Sequence, residues 1–138
     1  MADKVQFDLV SPERSLVSEA VDMVVVPGVD GDFGVLPQHS PMMTLLRPGV
    51  ITTYEGDRPV KRIFVAGGFA EANPAGVIVL AEAADVVGEV TADQARQLLR
   101  NAEEDLSVAA SAAEADRAKL EQAVAVAQAR VEAMTAPA

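Results

Sequence analysis

The apolar and polar residues of this chain follow two different periods, which change near residue 90. Val5-Gln6-Phe7-Asp8-Leu9-Val10 alternates apolar with polar side chains and stops at Ser11-Pro12, as expected of a half-buried strand followed by a turn. From Thr91 onward the chain contains no glycine, is rich in alanine, and spaces its larger apolar residues by three and four. This change of period predicts a β unit followed by a separate helical appendage.

Short apolar runs separated by glycine, proline, asparagine and aspartate predict many strands in the first part of the chain. The predicted strands cover residues 5–10, 15–20, 21–26, 35–36, 42–46, 50–54, 60–66, 69–72 and 76–81. Residues 27–34 are predicted as a loop, and Glu55-Gly56-Asp57 as a hairpin tip. Eight or more short strands with such spacing indicate a β-sandwich or a flattened barrel.

Two helix starts divide the last part of the chain. Thr91 with Gln94, and Ser111 with Glu114, both fit the capping-box pattern. Each helix should bury one face, and the connection between the helices should lie near residues 109–110. The buried face of the first helix comprises Ala95, Leu98, Leu99, Ala102 and Leu106. The buried face of the second comprises Leu120, Val124, Ala127 and Val131. Because so few large side chains are available, we expect an antiparallel hairpin that is marginal by itself and able to detach.

Charge and composition exclude several classes of function. The net charge of −10 argues against binding to nucleic acid or to an anionic lipid surface, and points to protein partners. The excess of acidic over basic side chains is concentrated in residues 1–90, which hold 13 acidic and 6 basic side chains. The apolar runs are far shorter than a membrane span and no signal peptide opens the chain, so neither membrane insertion nor secretion is expected. The absence of cysteine excludes disulfides and thiolate metal sites, and is compatible with a cytoplasmic location.

The candidate chemical residues do not form a recognisable active site. His39 is the only histidine, so a multi-histidine metal site is excluded and no catalytic triad is indicated. Gly28, Gly31 and Gly34 lack the spacing of phosphate-binding loops, and the aspartates between them lack the full calcium-loop pattern. We therefore predict no catalytic residue, metal site or cofactor. Two interpretations besides a subunit of a larger assembly stay open: a free-standing β-sandwich interaction adaptor, and a ligand-binding or enzymatic sandwich that uses the 28–34 loop.

Two stretches of the sequence resemble a known family. Residues 28–41 match G-x-x-G-x-x-G-[IV]-x-P-x-H-x-P, and Leu46-Arg47-Pro48-Gly49 continues it as L-x-P-G. Gly67-Gly68-Phe69-Ala70-Glu71 and Val77-Ile78-Val79-Leu80-Ala81 match two later strand motifs. This pattern, which extends over essentially the whole chain, is similar to that of the epsilon subunit of bacterial F-type ATP synthase.

The resemblance implies an α+β fold with segregated elements. It comprises an N-terminal ten-stranded β-sandwich in residues 1–86 and a C-terminal antiparallel two-helix hairpin in residues 87–138. The resemblance further implies a non-catalytic subunit of the rotor, which joins gamma to the ring of c-subunits and couples proton translocation to ATP synthesis. Its expected location is the cytoplasmic side of the bacterial inner membrane, as a peripheral subunit.

The resemblance also assigns residues to partners. Asp32 lies where the family places an acidic residue facing the polar loops of the c-ring. Ser11, His39 and Thr44 match positions on the side that meets gamma. We expect the 1–86 unit to make both contacts.

The helical part resembles the regulatory arm of the family. Some members bind ATP through an [IL]-D-x-x-R-A segment, of which Asp93 and Arg96 are matched here while the leading Ile or Leu and the final Ala are not. The resemblance thus implies at most weak regulatory binding of ATP. In inhibitory members, basic residues of the second helix approach the beta subunit, and the arm lies near alpha and beta. The basic residues of this helix are balanced by acidic ones, which predicts weak inhibition of ATP hydrolysis.

Overall fold

The structure is a computed structural model that describes residues 4–13, 15–87, 91–108 and 114–135. The chain divides into two compact units, Met1–Val87 and Gly88–Ala138. All strands belong to the first unit and both helices to the second.

The described residues of the first unit form ten strands. They are β1 (Val5–Val10), β2 (Ser15–Val21), β3 (Met23–Gly28), β4 (Gly31–Val35), β5 (Met42–Leu46), β6 (Gly49–Glu55), β7 (Arg58–Val65), β8 (Gly68–Asn73), β9 (Gly76–Ala81) and β10 (Ala84–Val86). The strand count confirms the expectation of a ten-stranded β fold.

The strands form one sheet that curls on itself into a sandwich. Their order is β10-β7-β6-β3-β5-β8-β9-β1-β2, with β4 paired to β3 beside this path. All pairs are antiparallel except β1 with β9. Strand β1 contacts β3, and β2 contacts β6, although neither pair is adjacent in the sheet. These contacts across the interior close the sandwich around one core.

Most side chains of this core are aliphatic, as the scarcity of aromatic residues requires. The alternation in β1 places Phe7 and Leu9 inward, and both are fully buried. They pack with Val24, Ile51 and Val79, contributed by strands from both sides of the sandwich. Each such side chain contributes about 1.5–3 kcal/mol relative to leaving it in water, so the core is the main source of this unit's stability.

The segment 27–34, predicted as a loop, is instead a tight β-hairpin. Strand β3 continues to Gly28, β4 begins at Gly31, and Val29-Asp30 form a two-residue connection. The loop prediction was wrong because turn-forming residues were dense throughout, while pairing with β3 decided the conformation. The predicted strand at 35–36 is the last part of β4, shifted by one residue. Strand β10 was not predicted from the apolar pattern, since its three residues are stabilised by pairing with β7.

The second unit contains α1 (Ala92–Val108) and α2 (Glu114–Thr135), which pack against each other. The capping box at the start of α1 is confirmed: Gln94 N donates to Thr91 Oγ1 at 3.1 Å, and Thr91 N donates to Gln94 Oε1 at 2.9 Å. The predicted cap at Ser111 and the predicted connection near residues 109–110 lie outside the described residues.

The predicted buried face is confirmed for α2 and mostly for α1. In α2, Ala127 is buried, and Leu120, Val124 and Val131 are half-buried. In α1, Ala95 is buried, whereas Leu98 is 45% exposed. Alanine side chains are small, so the buried face of α1 is narrow. Leu98 lies at the border of this face, and its side chain is therefore partly exposed to solvent.

Candidate interaction surface

Asp32 lies at the start of β4, beside the tip of the β3–β4 hairpin. The tip is held from the side by the segment that follows β5. Arg47 N donates to Pro27 O at 3.0 Å, and Val29 N donates to Leu45 O at 2.9 Å. The Arg47 guanidinium donates to Gly28 O at 2.5 Å and forms an ion pair with the Asp32 carboxylate. The backbone groups near Gly28 are therefore already engaged within the chain, which disfavours a phosphate-binding role for this segment.

A second surface is the outer face of the strands β5, β8, β9 and β1. The inward residues of β9 are buried, while Ile78 and Leu80 are 45% and 40% exposed. On the edge of this region, Met43 and Leu45 of β5 are each 64% exposed. Apolar side chains on the solvent side of a sheet are unusual enough to mark a contact surface.

Strand register aligns these residues in two rows across the sheet. Leu45 pairs with Phe69, Phe69 with Leu80, and Leu80 with Val10, which makes a row of four apolar residues. The neighbouring row is mixed and runs through Met43, Glu71, Ile78 and Asp8. We call the outer face formed by these two rows the apolar face.

A shallow groove of about 520 Å³ lies at the Val10 end of the apolar face. Its lining comprises Val10, Ser11 and Pro12, together with Gly68, Phe69, Leu80, Ala81 and Glu82. Ser11, one of the predicted gamma-contact residues, is therefore at the margin of this face. A groove of this form provides a recess for a side chain of a partner protein.

The other two predicted gamma-contact residues lie elsewhere. Thr44 is half-buried on β5 and points opposite to Met43 and Leu45, with its hydroxyl donating to Leu45 O at 3.2 Å. His39 is half-buried between β4 and β5, where its Nδ1 donates to Ser40 O at 2.6 Å. Three strand spacings, about 14 Å, separate β5 from β1. Ser11, His39 and Thr44 thus do not form one cluster; Ser11 directly follows β1 and Thr44 lies on β5, the strands at the two ends of the apolar face.

The predicted nucleotide residues form a local contact on α1. Arg96 Nη1 lies 3.1 Å from Asp93 Oδ1, and the Asp93 side chain is 95% exposed. Such a pair between residues three apart is a common feature of a solvated helix surface. The pairing leaves the Arg96 guanidinium engaged with a carboxylate of its own chain.

Within residues 4–13, 15–87, 91–108 and 114–135, no three His, Asp or Glu side chains come together in a group that could hold a metal ion. Neither of the two described helices is both long and apolar enough to cross a bilayer.

The sequence reasoning missed the apolar face and the role of Arg47. The run Val77-Ile78-Val79-Leu80-Ala81 contained a signal for this face. All five residues are apolar, although one side of a strand in such a sheet is expected to be polar and exposed to solvent. In the sequence, Arg47 stands only at the variable position of the L-x-P-G motif. Its contacts join residues 15 to 20 positions apart in the chain, so no local pattern could have indicated them.

The sequence matches a family model and curated relatives of that family. A family model described as "ATP synthase, Delta/Epsilon chain, beta-sandwich domain" matches residues 4–86. An "ATP synthase epsilon chain" of Rhodospirillum rubrum is 49% identical over 129 residues, which cover 94% of this chain and 95% of the relative. Another epsilon chain, from Paramagnetospirillum magneticum, is 54% identical over 111 residues, which cover 80% of this chain and 84% of the relative.

A solved structure shows the same fold. A chain in the cryo-EM structure of the Euglena gracilis mitochondrial ATP synthase, "OSCP/F1/c-ring in rotational state 1", aligns with a TM-score of 0.76 at 24% identity, covering 97% of this chain and 83% of that one. Sequence and architecture agree, and the chain belongs to the ATP synthase epsilon chain family.

Proposed function

We propose that this chain is a non-catalytic subunit of the rotor of a bacterial ATP synthase, where it joins gamma to the c-ring and helps couple proton translocation to ATP synthesis. It would act as a peripheral subunit on the cytoplasmic side of the plasma membrane. Membership of the epsilon chain family supports this role. The similar Euglena chain comes from an assembly that contains F1 and the c-ring, which is compatible with it.

The apolar face is the observation that carries the proposal. The continuous row from Leu45 to Val10 exposes apolar area that a partner can remove from water, at about 25 cal/mol per Å². We assign this face to gamma, with Ser11 at its margin. Thr44 lies on the edge strand β5 but points to the opposite side of the sheet, so its contact with gamma stays a prediction from the family resemblance. His39, in the segment leading into β5, completes the predicted set of gamma contacts. Binding here would rest on shape and apolar contact, which suits a partner that must stay attached while the rotor turns.

The β3–β4 tip is assigned to the c-ring. Asp32 stands beside this tip, and the first unit carries most of the negative charge of the chain. An acidic tip would be attracted to basic polar loops of the c-subunits. The tip adjoins the β5 end of the apolar face, where Val29 N donates to Leu45 O, so the two proposed partners would meet neighbouring surfaces of one unit.

The experiment that tests this function compares two substitutions of exposed apolar residues in the full-length chain. Leu45→Glu places a charge at the β5 end of the apolar row, while Val60→Glu, at a residue 58% exposed on β7, is the matched control away from that face. We expect Leu45→Glu to weaken binding to purified gamma by at least tenfold in calorimetry, a loss of about 1.4 kcal/mol, and Val60→Glu to leave it unchanged. Equal affinity of both variants would refute the assignment of the apolar face. No binding of the unmodified chain to gamma would refute the rotor function.

We further propose that the helical unit regulates only weakly. In α2, Arg117 forms an ion pair with Glu121 at 3.2 Å, so part of its positive charge is compensated within the helix. The attraction of α2 for an acidic segment of the beta subunit is reduced accordingly. The pairing of Arg96 with Asp93 likewise supports weak or no binding of ATP, which calorimetry with Arg96→Ala as the comparison would measure.

A further inference from the structure

The two aspartates of the β3–β4 tip are in different electrostatic environments. Asp32 forms an ion pair with Arg47. Asp30 is exposed in the two-residue connection, and among the described residues no hydrogen bond or ion pair engages its side chain. The tip therefore carries one compensated and one uncompensated carboxylate.

Arg47 connects the compensated carboxylate to the backbone of the tip. Its guanidinium binds the Gly28 carbonyl and the Asp32 carboxylate at the same time, and its own N–H binds the Pro27 carbonyl. The planar, forked guanidinium suits such a bridge, since two of its nitrogens can donate in fixed directions. These bonds cross from the end of β5 to both strands of the hairpin, and they fix the direction in which the Val29-Asp30 connection projects.

We propose that Arg47 is the positioning residue of the tip, and that Asp30, rather than Asp32, supplies the uncompensated negative charge to basic side chains of the partner. This inference rests on the proposed contact between the tip and the c-ring. Asp32 stays at the interface, but its charge is shared with Arg47 and serves to keep the tip in place. A carboxylate on a preordered turn loses little conformational freedom when it binds.

The first test measures carboxyl reactivity in the isolated full-length chain. The chain is treated with a water-soluble carbodiimide and glycine ethyl ester, and the rate of amide formation at each aspartate is followed by mass spectrometry. Asp57, in the exposed β6–β7 turn, is the internal reference. We expect Asp30 to react as fast as Asp57, and Asp32 about two- to fivefold more slowly, the range that an exposed ion pair supports.

Substitution of Arg47 provides the second arm. In Arg47→Gln, Asp32 should react as fast as Asp30, while Asp57 is unchanged. A general loss of structure would instead raise the reactivity of all carboxylates, including Asp57. Equal rates for Asp30 and Asp32 in the unmodified chain would overturn the proposed division of roles, and this result does not depend on whether the variant folds.

The third arm uses the assembled enzyme. After reconstitution with the other rotor subunits, Asp30 should be protected from the reagent, whereas Asp57 should keep its rate. If Asp30 reacts in the assembly as it does in the isolated chain, its contact with the c-ring is overturned. If the chain does not assemble with gamma and the c-ring at all, the proposed function itself fails, while the reactivity pattern of the isolated chain still decides the role of Arg47.

Discussion

At the residue scale, Thr53 is the polar side chain that the described core buries completely. It lies on β6 between β3 and β7, and its hydroxyl has no hydrogen-bond partner within the described part of the protein. A buried hydroxyl that has lost its water without gaining a partner destabilises the folded state. This position is therefore a weak point of a core that is otherwise apolar.

We expect Thr53→Val to raise the free energy of unfolding by about 1 kcal/mol, because valine has the same shape and needs no hydrogen bond. Chemical denaturation of the full-length chain would measure the change. Thr52→Val is the matched control, since Thr52 is only half-buried on the same strand and should change stability little. A destabilised Thr53→Val protein would indicate that the hydroxyl is satisfied after all.

Charges at one end of the sheet make stability dependent on pH. Lys4 Nζ lies 2.6 Å from Asp22 Oδ1 and 2.8 Å from Glu55 Oε2, and the Gly56 N–H donates to Asp22 Oδ2 at 2.6 Å. The hydrogen bonds to Asp22 and Glu55 raise the pKa of Lys4 above its ordinary value of 10.5. The hydrogen bonds from Lys4 and Gly56 lower the pKa of Asp22 below its ordinary value of 3.8.

We expect Lys4→Met to be less stable than the unmodified chain near neutral pH. This difference in stability should disappear at strongly acidic and at strongly alkaline pH. The contribution of Asp22 is present above 3.8 and is lost as the pH falls through its lowered pKa. The contribution of Lys4 is present below 10.5 and is lost as the pH rises through its raised pKa. Unfolding curves from acid to alkaline pH would measure the difference, and a constant difference over the whole range would contradict this coupling.

At the scale of elements, the β8–β9 hairpin depends on a close approach of two backbones. Gly68 begins β8 with φ of +132°, and a Cβ atom at this position would overlap the Leu80 carbonyl oxygen. Both the dihedral angle and the space therefore require glycine here. This contact also sets the register that aligns Phe69 with Leu80 on the apolar face.

Gly68→Ala should accordingly destabilise the first unit by about 3 kcal/mol or more, through strain at the dihedral angle and overlap with β9. Gly34→Ala is the matched control, because a Cβ there would make an ordinary contact with Met23 Sδ at 3.5 Å. Thermal unfolding monitored in the β region of the circular dichroism spectrum would separate the two. Similar melting temperatures for both variants would argue against so close an approach of β8 and β9.

At the scale of the whole molecule, the boundary between the units determines which truncation is meaningful. Strand β10 pairs with β7 from Ala84 to Val86, and Val87 N donates to Arg62 O at 2.9 Å. A chain ending at residue 84 would lack this edge pairing, whereas one ending at Val87 retains it. The division into Met1–Val87 and Gly88–Ala138 predicts that the chain ending at Val87 folds and keeps the apolar face.

We expect a chain ending at Val87 to unfold cooperatively and to bind gamma as the full-length chain does. An enzyme reconstituted with this truncated chain should hydrolyse ATP only slightly faster than one with the full-length chain. The removed helix α2 should inhibit only weakly, because its charges are partly compensated. Calorimetry and a coupled hydrolysis assay would measure both effects. A several-fold activation would show that the helical unit is a strong inhibitor.

The sequence by itself determined the segregation into a β part and a helical part, most strand positions, the cap at Thr91 and the family. These depend on local signals, namely side-chain periods, turn residues and motif spacing, which act over a few neighbouring residues. Only the tertiary structure decided that 27–34 is a hairpin, that Arg47 bridges its tip to Asp32, and that Leu45, Phe69, Leu80 and Val10 form one exposed row. Each of these depends on strand order and register between distant segments, and the free energy that fixes them comes from pairing and packing rather than from the preferences of adjacent residues.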